Sequence, residues 1–350
     1  MSNLRIGTTE FGGRGYFSNR PIPKNTEILR CNGPFTGVVF KPFKKEVCAY
    51  CFCYDNGRSQ KIKLHSSDAA SKKSQPAYGG VHFCTTECRD NWLKEVDFDG
   101  LIGKALNAIE TCCSAKKTAG TMELNYATGN MDIDAAWNEA TQRCFQMRRR
   151  KKGNTSILLE AEEYDTTRMI AVALVKKYRA LHKGIMVKEW NTFSELQSNE
   201  AELLKQYPAM LQSYIKVYEF LYATMPRVLQ PYLSTELVRH CVGREAGNAF
   251  GLWQLPLHLE SECMGSNLFP EASFFNHSCD PSVRKERIGR EMVFTTTRDI
   301  LPGEQLYISY GMLDNFDWKE RVKQLNSQWH FICCCPRCET EKADGEWAKL

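Results

Sequence analysis

The chain has 350 residues, 43% hydrophobic and 25% charged, a composition typical of globular proteins and long enough for about two or three packed units. Its net charge of +5 is too small to indicate nucleic-acid binding by itself. No stretch approaches the roughly 18 apolar residues of a membrane span, and the N-terminal segment lacks the apolar core of a secretory signal. Sixteen cysteines then indicate a reducing compartment, where clustered cysteines bind metal more often than they form disulfides.

The first 47 residues are predicted to form short strands separated by Pro- and Gly-containing turns. Within them, the segment 16–28 resembles the segment 294–306. Both run from an aromatic residue through small polar residues, an arginine, an isoleucine and a Pro-containing turn to an apolar strand. The similarity predicts one β-rich domain split by an insertion, although two ordinary hairpins could also match by coincidence.

A Cys-rich segment, 48–95, is predicted to form a separate small unit with an exposed polar loop at 57–80. The next segment, 96–240, has helical periodicity. Its strongest predicted helix is 157–181, with Gly184 as the stop signal. Further helices are predicted at 200–207 and 211–222, each bounded by a proline.

A basic run, Arg-Arg-Arg-Lys-Lys, occupies 148–152 within this helical segment. The first interpretation is a solvated loop, and the alternative is a nuclear-import signal or a contact with an acidic partner. We expect an intracellular protein of the nucleus, the cytoplasm or both.

From Val242 onward, glycines interrupt pairs of apolar residues, and strands are predicted to resume. The segments 292–297 and 305–310 flank a Pro-Gly pair and predict a hairpin. One short helix is predicted at 317–324, followed by a second Cys cluster and a polar tail. The fold class is therefore α+β, with the segments 1–47, 48–95, 96–240, 241–312 and 313–350.

Two pairs of cysteines in the Cys-rich segment have the spacing of zinc ligands: Cys48 with Cys51, and Cys84 with Cys88. Zinc needs four soft or borderline ligands at tetrahedral corners, and a Cys-x-x-Cys turn supplies two of them. His65, His82 and Cys53 are further candidates in this segment.

Three cysteines near the C-terminus, Cys333, Cys335 and Cys338, leave one corner of a second zinc site open. Cys279 is the candidate for the fourth ligand. Cys334 lies between two ligands, so we expect its side chain to point away from the metal.

Three stretches carry a family resemblance: Asn-His-Ser-Cys-Asp-Pro at 276–281, Phe-Ile-Cys-Cys-Cys-Pro-Arg-Cys at 331–338, and Gly-Gly-Arg-Gly at 12–15. Together they resemble the catalytic half of SET-domain protein methyltransferases. The segment 83–88, followed by Trp92, resembles a MYND finger that lacks its second pair of ligands, so one zinc is expected there. The order of segments resembles a MYND–SET lysine methyltransferase over almost the whole chain, of the short fungal type without a C-terminal repeat domain.

This resemblance implies S-adenosylmethionine as cofactor, two zinc ions and a protein substrate that offers a lysine. It implies a monomer that binds neither membrane nor nucleic acid. Tyr310 would be catalytic, orienting the amine, and Phe275 and Trp329 would line the substrate channel. The cofactor would be bound by Gly13, Arg14, Gly15, Tyr16, Asn248, Asn276, His277, Tyr310 and Phe331.

Trp329 departs from the family pattern, because many relatives carry a tyrosine there. An indole can wall the lysine channel but offers no hydroxyl. This departure leaves open a catalytically weak or inactive SET and MYND interaction module. A second alternative, independent of Trp329, is a SET enzyme that methylates another acceptor such as histidine.

Overall fold

A computed structural model describes residues 3–10, 13–65, 77–114, 132–149, 157–258 and 260–343. Gly12, the middle of the polar loop at 57–80, and the side chains of the basic run lie outside the described residues. The strands are β1 (Leu4–Thr8), β2 (Arg14–Ser18), β3 (Glu27–Cys31), β4 (Thr36–Val39), β5 (Ile62–Lys63), β6 (His82–Phe83), β7 (Ala249–Trp253), β8 (Cys263–Leu268), β9 (Asn276–His277), β10 (Val283–Ile288), β11 (Glu291–Thr296) and β12 (Tyr307–Ile308).

Among the described residues, eight α-helices lie between β6 and β7 and two follow β12, and this segregation of helices from strands confirms the predicted α+β class. The helices are α1 (Thr86–Asn91), α2 (Leu101–Ser114), α3 (Ile133–Arg149), α4 (Ala161–Lys183), α5 (Val187–Ser194), α6 (Glu200–Gln206), α7 (Met210–Thr224), α8 (Thr235–Asn248), α9 (Trp318–Trp329) and α10 (Pro336–Ala343). None of the helices in the described part of the chain has both the length and the apolar composition that crossing a membrane requires.

The chain divides into two compact units. One, here called the terminal unit, contains Met1–Pro34, Ala246–Asn248 and Phe269–Leu350. The other, here called the insert unit, contains Phe35–Glu245 and Ala249–Leu268. Both ends of the sequence thus belong to the same unit.

The terminal unit is built from strands of both chain ends. The strands β1 and β2 form an antiparallel hairpin, and β3 pairs with β11, which also pairs with β10. The strands β9 and β12 run parallel to each other. The prediction that the first and last segments form one β-rich fold is therefore confirmed.

The two similar segments, 16–28 and 294–306, pair with each other in antiparallel orientation. Ile22 pairs with Ile300, which is its counterpart in the sequence comparison. The pairing of Phe17 with Gln305 on one side is matched by the pairing of Glu27 with Thr295 on the other. The pairing therefore has a local twofold pseudo-symmetry centred on the two isoleucines.

The predicted hairpin between 292–297 and 305–310 is wrong. The strand β11 pairs with β10 and β3, and the tight connection is at Gly289, whose φ of 60° suits glycine. The chain after Gly303 returns to β2, where Gly303 N–H donates to Ser18 O and Leu306 N–H donates to Tyr16 O, each at 2.9 Å. The Pro-Gly turn was a correct local signal, but it does not determine which strand the chain meets next.

The insert unit holds the antiparallel sheet β4-β8-β7 and a core of helices centred on α4, which packs against β4, α2 and α7. The predicted helix at 157–181 is confirmed, with a later start. It begins after Glu160 because the side chains of Glu160 and Glu163 form a reciprocal cap, and it ends at Gly184 with a φ of 65°.

Strands do not resume at Val242 as predicted, because α8 continues to Asn248. Gly243 is a packing residue within this helix: an added Cβ would lie 2.2 Å from Ser198 Oγ. The predicted helices at 200–207 and 211–222 are confirmed as α6 and α7. The helix predicted at 317–324 extends to Trp329, and α10 was not predicted.

Candidate active site

The parallel pair β9–β12 brings the Asn-His motif next to Tyr310. Asn276 pairs with Tyr307, and His277 pairs with Ile308. Ser278 N–H then donates to Ile308 O at 3.0 Å, which extends the pairing beyond the strands. Tyr310 follows β12 by two residues, so it emerges where both short strands end.

His277 links Tyr310 to a cysteine. The backbone N–H of Tyr310 donates to His277 Nδ1 at 3.1 Å, so this nitrogen carries no proton. Burial lowers the pKa of His277 to about 4, so the ring is neutral and its single N–H is on Nε2. Nε2 faces Cys279 Sγ at 3.2 Å, in position to donate to the sulfur.

The Tyr310 side chain lies against aromatic rings and is held by one hydrogen bond. Its hydroxyl donates to Phe275 O at 3.0 Å, and burial raises its pKa, so the hydroxyl stays protonated. The ring centroids of His277, Trp329 and Phe331 lie 5.3, 5.4 and 6.1 Å from that of Tyr310. The tyrosine is therefore a fixed donor in a largely apolar surrounding.

Two predicted channel residues lie in different surroundings. The Phe275 ring is 1% exposed and packs against Tyr16 and Phe294, with centroids at 4.7 and 4.9 Å. Its backbone carbonyl, rather than its ring, contacts Tyr310. The Trp329 ring, in contrast, packs against Tyr310 itself.

Strand β2, here called the glycine strand because it contains Gly15, approaches Asn276 of the Asn-His motif closely. A Cβ on Gly15 would lie 2.8 Å from Asn276 Nδ2 and 2.7 Å from Gln305 Nε2. The Asn276 amide donates to Arg14 O at 3.2 Å, which fastens β2 to the motif. Gly13 has a φ of 68° at the turn before this strand. Glycines at these positions thus let backbone and motif meet.

Three further predicted residues support the same region. The Arg14 guanidinium lies over the Phe274 ring at 5.1 Å. Tyr16 OH donates to Glu271 O at 2.9 Å, and burial raises its pKa. Asn248, at the end of α8, accepts a hydrogen bond at its backbone O from Ser273 Oγ at 3.3 Å. All three contacts therefore fix the backbone that leads into the motif.

Four thiols at the C-terminal end of the chain form one group, here called the C-terminal cluster: Cys279, Cys333, Cys335 and Cys338. Their sulfurs all lie within 4.8 Å of one another, with Cys279 Sγ 3.5 Å from Cys338 Sγ and 3.9 Å from Cys333 Sγ. Four sulfurs around zinc at about 2.3 Å lie about 3.8 Å apart. Cys334 is exposed and outside the group. The four predicted ligands therefore fit a tetrahedral zinc ion.

The second group of thiols, here called the finger cluster, consists of Cys48, Cys51, Cys84 and Cys88. Cys84 Sγ lies 3.6 Å from Cys51 Sγ and 3.5 Å from Cys88 Sγ, again the spacing of a tetrahedral zinc site. Thr85 caps α1 by accepting from Cys88 N–H at 3.1 Å, which places Cys88 beside Cys84. The group assembles without the further candidates His65, His82 and Cys53.

The C-terminal cluster and the Tyr310 surroundings share one core. Leu313 and Leu325 are buried with the four thiols, and Tyr310, Trp329 and Phe331 pack against them. The thiols are thus part of the wall on which the aromatic rings lie.

Two side chains in this region were not predicted. Lys285, on β10, donates from Nζ to Tyr310 O at 2.9 Å, and burial lowers its pKa to about 8. Arg321, on α9, is fully buried and donates to Cys338 Sγ at 3.6 Å. Neither residue carries a sequence signal, because lysines and arginines on strands and helices usually lie on exposed faces.

The chain has relatives along nearly its whole length. A family described as SET domain matches residues 13–311. The potential protein lysine methyltransferase SET6 of Saccharomyces cerevisiae is 33% identical over 365 aligned residues, which cover 97% of this chain and 95% of that protein. Human histone-lysine N-methyltransferase SMYD3 is 40% identical over 88 residues, 25% of this chain and 20% of that protein.

Among solved structures, the SET domain of LSMT bound to lysine and AdoHcy aligns with 95% of this chain and 53% of that chain. The TM-score is 0.30 and the identity 12%, a likeness too distant to support any inference about this site. The family match extends over more than half of the chain, and the yeast relative aligns almost from end to end. The chain therefore belongs to the SET domain family.

Proposed function

We propose that this protein is an S-adenosylmethionine-dependent protein-lysine N-methyltransferase. The observation that carries the proposal is that the chain brings Gly15, Asn276, His277 and Tyr310 together. Gly15 approaches Asn276 closely, the Asn276 amide donates to Arg14 O, and the backbone N–H of Tyr310 donates to His277 Nδ1. Membership of the SET family and the yeast relative's description as a potential protein lysine methyltransferase support it.

The proposed cofactor site is the backbone around the glycine strand and the Asn-His motif. A cofactor with an amino-acid end and an adenine end needs backbone groups that side chains do not obstruct, and Gly13 and Gly15 carry no side chain that could cover their own backbone. Asn276, His277, Asn248, Arg14 and Tyr16 would bind it, with Phe331 covering the adenine. When bound, S-adenosylmethionine supplies an electrophilic methyl group.

Tyr310 is proposed as the catalytic residue because its hydroxyl has a fixed direction. It donates to Phe275 O and stays protonated, so it orients the incoming amine rather than removing its proton. A lysine amine, with a reference pKa of about 10.4, must lose a proton before it attacks. An apolar channel walled by aromatic rings lowers that pKa by desolvation, and alignment then contributes most of the remaining rate.

The finger is proposed to be MYND-like with a single zinc ion. The finger cluster supplies four ligands for one metal, and Phe83 packs against Trp92 with ring centroids 5.8 Å apart. The two thiol clusters also support a reducing, intracellular location, in the nucleus or the cytoplasm. The second candidate function is an interaction module with a weak or inactive SET site, favoured by the lack of a hydroxyl on Trp329.

The test measures cofactor binding and then methyl transfer. Calorimetry of the zinc-loaded chain should give one S-adenosylmethionine per chain, and absence of binding would contradict the proposal. The purified protein is then added, with isotope-labelled cofactor, to a lysate of cells that lack it. The modified residue is mapped by mass spectrometry. Label on a lysine supports the enzyme, binding without transfer supports the interaction module, and label on histidine supports the other acceptor.

A further inference from the structure

The Arg321 side chain is completely buried, although arginine is among the residues most rarely found without solvent. It projects from α9 toward the C-terminal cluster. Burying a guanidinium is unfavourable unless opposite charges and acceptors surround it. Its partners should therefore explain its position.

Three groups accept hydrogen bonds from the Arg321 guanidinium. Nη1 donates to Phe316 O at 2.8 Å, and Nη2 donates to Glu341 Oε2 at 2.8 Å and to Cys338 Sγ at 3.6 Å. The last contact places a permanent positive charge against one of the four proposed zinc ligands. Arg321 therefore touches the metal-binding group itself.

The charge of a filled cluster makes this contact important. One Zn²⁺ with four thiolates has a net charge of −2, and the four cysteines are buried. A net charge in a low-dielectric surrounding is unfavourable unless a counter-charge lies close to it. Arg321 donates to the sulfur of Cys338, whereas Arg337 donates to Glu341 and to the backbone O of Cys279.

We propose that Arg321 is the charge partner that retains zinc in the C-terminal cluster. The inference rests on zinc occupying both clusters, which is part of the proposed function. In the finger cluster, Cys51, Cys84 and Cys88 are partly exposed, so water can solvate the thiolates there. The C-terminal cluster is more deeply buried and uses a buried guanidinium in place of water.

The experiment follows zinc release from the full chain, loaded with two zinc ions, into an excess of a chromogenic chelator. The wild type should release its zinc in two phases, and Cys88→Ser should abolish the faster one. Arg321→Met should accelerate the slower phase about 10- to 100-fold, the range expected when a hydrogen-bond partner of a metal ligand is removed. The faster phase should stay within about twofold of wild type.

Controls separate the charge at the sulfur from a general loss of structure. Arg337→Met removes a neighbouring arginine that also pairs with Glu341. In this variant the rate of the slower phase of zinc release should change less than about threefold. Arg321→Lys keeps the charge and should fall between wild type and Arg321→Met. Combining Arg321→Met with Glu341→Gln removes the charge of the carboxylate that has lost Arg321, and the accelerated slower phase should persist.

Two results would overturn the inference. One is release from Arg321→Met at the wild-type rate, and the other is recovery of the wild-type rate in the double variant, which would make Glu341 the cause. A wild-type chain that holds fewer than two zinc ions would instead overturn the zinc occupancy on which the inference rests. Cofactor binding and methyl transfer are measured in separate experiments. A failure of the proposed enzyme activity is therefore distinguishable from a failure of the proposed role of Arg321.

Discussion

The two thiol clusters offer the same four sulfurs but are assembled in different ways. The finger cluster takes all its ligands from residues 48–88, around one pair of short antiparallel strands and one helix. The C-terminal cluster joins Cys279 to cysteines 54 and 59 residues further along the chain. Metal binding in the finger therefore organises a local segment, whereas metal binding at the C-terminal cluster closes a long loop.

This difference determines what each zinc ion holds in place. Zinc-binding free energy contributes to folding free energy when the site does not exist in the unfolded chain. In the C-terminal cluster that energy also fixes the aromatic wall around Tyr310, because Trp329 and Phe331 pack on the thiols. Loss of zinc from the C-terminal cluster should therefore disturb the proposed active site, whereas loss of zinc from the finger cluster should not.

The largest effect should come from removing one ligand of the C-terminal cluster. Cys279→Ser should leave one zinc ion per chain and weaken S-adenosylmethionine binding at least about 100-fold, because the wall around His277 and Tyr310 loses its anchor. Elemental analysis and calorimetry measure the two quantities. The matched variant Cys88→Ser should also lose one zinc ion, yet keep cofactor affinity within about twofold. Equal losses of affinity in both variants would show that the clusters do not differ in this way.

A variant at the same wall that removes no ligand separates chemistry from metal binding. Tyr310→Phe should keep both zinc ions and the cofactor, yet slow methyl transfer about 100-fold because the amine loses its orienting hydroxyl. Single-turnover assays with labelled cofactor measure the rate. The control Tyr50→Phe deletes a finger hydroxyl that donates to Glu95 and should leave the rate within about twofold. An unchanged rate in Tyr310→Phe would remove Tyr310 from the catalytic role.

A smaller effect is expected where the glycine strand meets the motif. Gly15→Ala should lower the stability of the terminal unit by about 1–3 kcal/mol and weaken cofactor binding, because the added Cβ has no room beside Asn276 and Gln305. Chemical unfolding and calorimetry test both results. Gly311→Ala is the matched control, since its Cβ would meet its nearest neighbours at 3.7 Å. If both variants are equally stable, the close approach at Gly15 is not required.

The smallest effect concerns pH and the lysine beside Tyr310. Burial lowers the pKa of Lys285 to about 8 in the folded chain, below its ordinary value of 10.5. Between these two pH values the unfolded chain binds more protons at this site, so the contribution of Lys285 to stability rises with pH. The difference in melting temperature between wild type and Lys285→Met should therefore shift in favour of wild type from pH 7.5 to 9.5. A constant difference would refute this explanation.

Local signals predicted the metal ligands well, because a zinc ligand pair depends on short spacings that the sequence displays directly. Cys279 is predicted from the open corner of the site together with the family resemblance, since no short spacing connects it to the C-terminal cysteines. The stop of α4 at Gly184 also follows from local chemistry, whereas its start at the Glu160–Glu163 cap lies later than the predicted residue 157.

Pairings and counter-charges could not be predicted in the same way. The Pro-Gly turn near 302 marks a reversal, but the strand that the chain meets comes from the N-terminal segment. Gly243 is predicted as a strand interruption, but it is a glycine because a larger residue would collide with Ser198. Ser198 lies 45 positions away in the sequence, so no local pattern shows this contact. Arg321 and Lys285 have ordinary positions on a helix and a strand, and only the folded chain gives them buried partners.

The twofold pairing of 16–28 with 294–306 also has a consequence for synthesis on the ribosome. Strand β3 must wait for its partner β11, which is made about 260 residues later. At translation rates of about 5 to 20 residues per second, that delay is on the order of 15 to 50 seconds. Strand β3 therefore stays without its partner β11 throughout synthesis of the insert unit, and its edge is open in that interval to a chaperone that protects nascent strands.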